Sequence, residues 1–392
     1  MKNASIFLPT AQLETIAQCL QEVFTDCTLD WNGASPNTWT QVKISKKTGW
    51  FGKANLSISI RSYAQPAAFV PMMQGMMNRV AQIPAQNQKV QFKFMTKIQN
   101  TKSALGLVAA SGFEHFEAGL YQICARLDGY LFVDGIQWVG ADQKVILDIQ
   151  GQSTIEDLAI PEAHVQLGLA DEADPAGLFP SQIARKNCSI LQLQERYIPV
   201  VAHLPCIVAE EEVQLRTKES IVQRTIAVAI AAAKGEGLED EIVQLLVEQF
   251  GANSFISPEE QSFIQNQAPS EQDRAKFTWR YEDLWVFLWA LGYIEKLDFP
   301  NHICDVAKAV SLIQEAGSYA QLLESAELRS STEILDAADL VYRLNWACVN
   351  ARVNNQLMPA GLDAGVVFER HYALNWLIGY QGLDWDAIRT DT

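Results

Sequence analysis

The stretch Val366 to Trp376, VVFERHYALNW, sets three polar residues in a row, Glu369, Arg370 and His371, inside an otherwise apolar segment. At about 100° per residue in a helix, the three side chains leave the axis in three directions. Each has apolar neighbours: Val367, Leu374 and Ile378 beside His371, Trp376 and Tyr380 beside Glu369, and Val366, Ala373 and Leu377 beside Arg370. A helix that is apolar on all sides is a buried helix, and a buried charge is tolerated only with a partner. The chain must therefore build a helical core around this segment and bring opposite charges to it from elsewhere.

Two further helices fit that demand. Trp279 to Leu291 (WRYEDLWVFLWAL) carries Arg280, Glu282 and Asp283 among aromatic residues, and Ser331 to Asn354 carries Asp336, Asp339, Arg343, Trp346 and Asn350 along one stripe. The opposite stripe, Ile334, Ala337, Val341, Leu344 and Cys348, is core. The expected pairing is Arg280, Arg343 and Arg370 with Glu282, Asp336 and Glu369 inside the bundle, since a guanidinium binds a carboxylate bidentately and keeps its proton. The competing description of the polar stripe is a solvated face with paired charges. Trp346 argues for contact with another element or a ligand.

From Arg216 onward helix signals dominate: Ser257-Pro258-Glu259-Glu260 and Ser330 with Glu333 form capping boxes, and Asp363 caps the segment described first. Residues 214–392 are expected to be an all-α domain of seven or eight helices. Residues 1–150 intersperse alternating strands with helices, an α+β pattern with a mixed sheet. A Met-rich helix is expected from Pro71 to Ile83, a helix from Lys89 to Gln99, and a hairpin across Tyr130 to Ile149 broken near Gly140. Lysines 43, 46, 47 and 53 surround Trp50-Phe51 at another hairpin tip, a grip for an anionic or aromatic partner or a solvated turn with one hydrophobic plug. Residues 151–213, punctuated by Pro161, Pro175, Pro180, Pro199 and Pro205, are expected to be a connector packed on the surface.

The net charge of -16 is unevenly placed: residues 1–150 carry 13 Lys+Arg against 10 Asp+Glu, so the acid excess lies in the C-terminal part. That surface repels phosphate backbones and argues against nucleic acid, while it suits a basic protein partner. Seven scattered cysteines without a CxxC pair, no signal-peptide core and no apolar run of transmembrane length point to a reduced, cytoplasmic setting without a membrane. The phosphate-loop, dinucleotide, zinc-protease, EF-hand and GxSxG motifs are all missing, and no cofactor is implied.

His371 is the candidate general acid/base, with Glu369 or Asp386 as its carboxylate, because its ordinary pKa is near neutrality. A lone His on an apolar face is otherwise a satisfied core residue. Asp384-Trp385-Asp386 is either a cap with a Trp anchor or, with Glu369 and His371, an oxygen-rich metal site of no recognised spacing.

Several of these stretches occur in a characteristic order. They are Arg216 with Arg224, Trp279-Arg280-Tyr281-Glu282 followed by Trp289-Ala290-Leu291-Gly292, and Arg329-Ser330-Ser331-Thr332-Glu333-Ile334-Leu335-Asp336. Glu369-Arg370-His371 with Ala373-Leu374-Asn375-Trp376 and the terminal Asp384-Trp385-Asp386 complete the set. Together they resemble a bacterial family catalogued as domain of unknown function 4272, over roughly Pro205 to the end. The resemblance implies a helical domain without an assigned activity, and it directs attention to Arg280, Glu282, Arg329, Glu333, Glu369, Arg370 and His371. The expected function is a non-catalytic binding or interaction protein. The alternatives are a hydrolase using His371 with Glu369 or Asp386, and an immunity-type protein that masks a basic toxin.

Overall fold

The computed structural model describes residues 4–33, 35, 38–48, 52–109, 112–160, 177–201 and 203–392. The chain forms two units. A sheet unit comprises Met1–Gln166, Glu195–Tyr197 and Asn355–Gly361, and a helical unit comprises Leu167–Gln194, Ile198–Asn354 and Leu362–Thr392.

In the sheet unit the elements run β1 (Ala4–Leu8), α1 (Leu13–Val23), β2 (Thr28–Trp31), β3 (Gln41–Thr48), β4 (Gly52–Ser62), α2 (Pro66–Gln82), α3 (Gln88–Gln99), β5 (Ser103–Val108), α4 (Glu117–Arg126), β6 (Tyr130–Val133), β7 (Gln137–Val139) and β8 (Val145–Asp148). The strands form one eight-stranded sheet in the order β2-β3-β4-β5-β1-β6-β7-β8. Every pairing is antiparallel, so the α+β class holds but the sheet is not mixed. β5 and β6, which run parallel, are kept apart by β1 lying between them.

Central β1 shows why helices cover both faces. Its alternation sends Ile6 and Leu8 into a core with Ile16 and Leu20 of α1 and Leu120 and Ile123 of α4. Phe7 points the other way and stacks on Tyr130 at 5.2 Å, which in turn meets Phe94 of α3 at 5.2 Å.

Three details differ from the sequence expectation. β2 lies in a stretch whose breakers, Asn32-Gly33 and Ser35-Pro36, predict a loop; Asn32 Oδ1 accepts the Thr40 and Gln41 N–H groups at 2.9 and 2.8 Å and folds the chain from β2 back into β3. α2 begins a turn earlier than Pro71, because Pro66 occupies the helix start where no N–H is needed. The break in the Tyr130 hairpin falls first at Asp134-Gly135, whose φ values of 52° and 77° make the left-handed turn favoured between twisted strands. Trp50 and Phe51, expected at the lysine-rich tip, lie outside the described residues, as do Pro161 and Pro175.

The helical unit contains α5 (Pro180–Glu195), α6 (Lys218–Glu236), α7 (Asp240–Phe250), α8 (Pro258–Gln265), α9 (Glu271–Thr278), α10 (Arg280–Ala290), α11 (Val306–Ala316), α12 (Tyr319–Ser325), α13 (Ser331–Val353) and α14 (Ala364–Leu377). α5 falls inside the stretch expected to be connector: Pro180 opens a helix there rather than breaking one. Three capping boxes start α8, α9 and α13. The one at α9, Ser270 with Asp273, uses Asp in place of the usual Glu or Gln.

α6, α10 and α14 make the centre, and all eleven residues of α10 are buried. Close approach of α9 to α6 requires Gly235, where a Cβ would lie 2.8 Å from the Thr278 nitrogen. Among the described residues no helix is long and apolar enough to cross a membrane.

Candidate functional site

The three consecutive polar residues of α14 have three separate fates. Arg370, 3% exposed, donates from Nε to Glu282 of α10 at 3.1 Å and from Nη1 to the Asp298 carbonyl at 2.6 Å. Glu369 accepts from Arg280 Nη1 at 3.0 Å. His371 turns away from both and lines a cleft.

Arg280 binds a second carboxyl, Asp283, at 3.0 Å, and its guanidinium lies 4.3 Å from the Tyr372 ring centre and 5.0 Å from that of Trp385. Burial lowers the Arg280 pKa, but the charges of Asp283 and Glu369 outweigh it and hold the guanidinium charged. Burial raises Asp283 well above the ordinary carboxyl range, and the neighbouring Glu369 charge adds to the rise. One cation thus serves two acids, and burial raises the pKa of both carboxyls.

The sign of the resulting pH dependence follows from that raised pKa. The folded state retains a proton that the unfolded chain releases above the ordinary carboxyl range, so this contribution to stability is present at low pH and is lost as pH rises through the folded pKa. Asn at position 283 cannot release a proton. Asp283→Asn should therefore gain melting temperature relative to the native protein as pH is raised from about 4 to 8. A difference that stays constant with pH would mean that Asp283 is ionised in the fold.

α13 departs from the expected pairing. Arg343 binds Asp339, one turn earlier, through Nε at 2.9 Å and Nη2 at 2.7 Å, and not Asp336. Asp336 instead accepts from Arg185 Nε of α5 at 2.8 Å, and Arg185 also reaches Glu210 at 3.0 Å. The reason lies in the helix geometry: Asp339 and Arg343 share a buried face, whereas the Asp336 side chain is 60% exposed at the edge where α5 lies.

Arg329 donates to the carbonyls of Trp289, Ile294 and Glu295, closing the end of α10, and pairs with Glu333 at 2.7 Å. A further buried pair, Arg224 with Glu260 at 2.8 Å, joins α6 to the capping box of α8.

The proposed acid/base partners of His371 are not brought to it. Glu369 is held by Arg280, and Asp386 accepts the Glu259 N–H at 3.0 Å at the start of α8. Asp384 and Asp386 line a separate hollow with Arg216, Arg224, Trp376 and Trp385. The oxygen-rich metal alternative is not assembled: Asp384 and Asp386 share that hollow, Glu369 is held by Arg280 and His371 lines another cleft, and among the described residues no group of three or more His, Cys, Asp or Glu is placed to hold a metal.

The cleft that His371 lines has a volume of about 820 Å³. His203, Glu212, Tyr342, Trp346, Asn375, Tyr380 and Asp391 are among its walls. Of these, Trp346 and Asn375 were singled out from the sequence. Tyr342 was not, although it lies one turn before Trp346 on α13, and its ring centre is 5.7 Å from that of His371. Asn375 donates to the Arg389 carbonyl at 2.8 Å and so fixes the terminal segment that carries Asp391.

His371 is 1% exposed, and its Nδ1 has no hydrogen-bond partner among the described residues. Burial pushes its pKa down to about 4, against a smaller opposite pull from Asp391, so the ring is neutral at physiological pH. A buried polar atom left unmatched costs about 1–3 kcal/mol, which a ligand that hydrogen-bonds it would recover.

A family described as Domain of unknown function (DUF4272) matches residues 185–388, just over half of the chain. Neither a curated protein nor a solved structure matches. The matched span opens at Arg185 and contains the Arg280–Glu369 and Arg370–Glu282 pairs, the Arg329 cap, and both α13 and α14. The chain belongs to the DUF4272 family.

Proposed function

We propose that the helical unit is a non-catalytic binding module, acting in the cytoplasm, that seats a ligand group in the cleft lined by His371. The observation that carries this reading is a cavity of about 820 Å³ whose wall includes the buried, neutral imidazole of His371, a ring whose Nδ1 has no hydrogen-bond partner among the described residues. That volume is typical of small-ligand sites, which combine apolar walls with a few fixed polar groups. A hydrolase would require a carboxylate to orient the imidazole, and both carboxylates considered for that role are engaged elsewhere. The scattered cysteines, with no CxxC pair, suit a reducing compartment.

The test is thermal denaturation with the small-molecule extract of the source organism. A ligand at about one hundred times its Kd adds about 2.7 kcal/mol, so the melting temperature of the native protein should rise while that of Trp346→Ala should not. Equal shifts in the two proteins would place binding outside the cleft and remove the proposal.

A further inference from the structure

We infer that the group taken by this cleft is an organic cation: an alkylammonium, a quaternary ammonium or a guanidinium, presented either as a free small molecule or as a basic side chain of a partner. The inference rests on the binding reading above and adds the chemistry of the ligand.

Charge comes first. Among the described residues the walls carry two carboxylates, Glu212 and Asp391, and no Lys or Arg. His371 adds no positive charge at physiological pH, because its imidazole is neutral. Arg343, 5.9 Å from the Tyr342 ring centre, is ion-paired with Asp339 through two bonds and donates to the Pro205 carbonyl, while its Nη1 has no partner among the described residues. Arg389 is paired with Asp391 beside the cleft, so an anionic ligand would meet two wall carboxylates with that one cation already engaged. A cation would meet opposite charge, within a unit whose acid excess attracts cations at longer range.

The aromatic walls point the same way. Tyr342, Trp346 and Tyr380 line the cleft and are all partly exposed. Indole and phenol faces attract cations through their quadrupoles, and aromatic walls beside carboxylates are how quaternary ammonium groups are recognised. Asp391 now holds Arg389 at 3.3 Å and accepts from the Tyr380 hydroxyl at 3.3 Å. The ion pair is more than half exposed on both sides, the kind that contributes little and exchanges readily for another cation. The buried His371 ring, 5.7 Å from the Tyr342 ring centre, backs the same wall.

The experiment is isothermal titration of the full chain at low salt with choline, spermidine and an acetylated Gly-Lys-Gly amide, with glutamate and glucose as the anionic and neutral counterparts. At least one cation should bind, and Trp346→Ala and Asp391→Asn should each weaken it about tenfold, the loss expected for one interaction of cation–π or ion-pair strength. Circular dichroism checks that both variants are folded. Binding of the peptide without choline or spermidine would identify a partner's side chain as the source, and the reverse would identify a free amine.

Glutamate or glucose binding that is lost in Trp346→Ala would overturn the cation inference while leaving the binding cleft intact. No binding of any cation would also overturn it, and the extract experiment would then decide separately whether the cleft binds anything. Cation binding indifferent to both substitutions would lie elsewhere and would count against both.

Discussion

Replacing Arg370 by Met is expected to lower the stability of the helical unit by about 3–5 kcal/mol, the usual cost of stranding a buried charge. The charge left behind is Glu282, 2% exposed, which would keep the Cys304 N–H as a partner but no cation. The Asp298 carbonyl would lose its donor as well. Replacing both members, with Arg370→Met and Glu282→Leu together, should restore much of the loss, because a well-packed apolar pair can match a buried ion pair. Urea unfolding followed in the helical unit's transition measures both. A single substitution that leaves the midpoint unchanged would show that Glu282 and Arg370 are solvated and do not hold α10 and α14 in register.

The second large effect is acid destabilisation through His371. Its folded pKa is depressed from 6.5 to about 4, so the unfolded chain takes up a proton that the folded chain refuses. The associated stability is fully present above 6.5 and is lost as pH falls towards 4. At about 1.4 kcal/mol per pH unit the loss amounts to about 3 kcal/mol. His371→Asn, which does not titrate, should lack this part of the acid slope. Asp283 has a slope of opposite sign but is common to both proteins, so the difference between their stability profiles isolates His371. Parallel profiles between pH 7 and 4 would mean that the imidazole is solvated and titrates normally.

How much of this was legible beforehand depended on whether a local rule forced the answer. The contacts of Arg280 with Glu369 and of Arg370 with Glu282 follow from charges embedded in helices that are apolar on every side, where the set of partners is small. The caps of α8, α13 and α14 followed from side-chain chemistry at fixed offsets. Asp336 was misassigned because its partner, Arg185, lies on a helix whose weak periodicity and opening proline resembled a loop. The antiparallel order of the sheet could not be read from strands one at a time, since the place of β1 between β5 and β6 is decided by packing across the whole sheet. The cleft was half legible. His371 stood out as a polar residue on an apolar helix, Trp346 as an indole on a polar stripe and Asn375 within the family motif, but His203, Tyr380 and Asp391 come from segments with no repeating pattern. Their placement depends on the tertiary path, anchored by such bonds as Asn375 to the Arg389 carbonyl and Arg216 to the Leu383 carbonyl.

The most direct measurement of the central claim is the electron density in the His371 cleft of crystals grown from protein purified from its own source without denaturation. Non-water density between Tyr342, Trp346 and Asp391, with an atom within hydrogen-bond distance of His371 Nδ1, is the expected result. A cleft holding only ordered water, with Nδ1 satisfied by one of those waters, would contradict it.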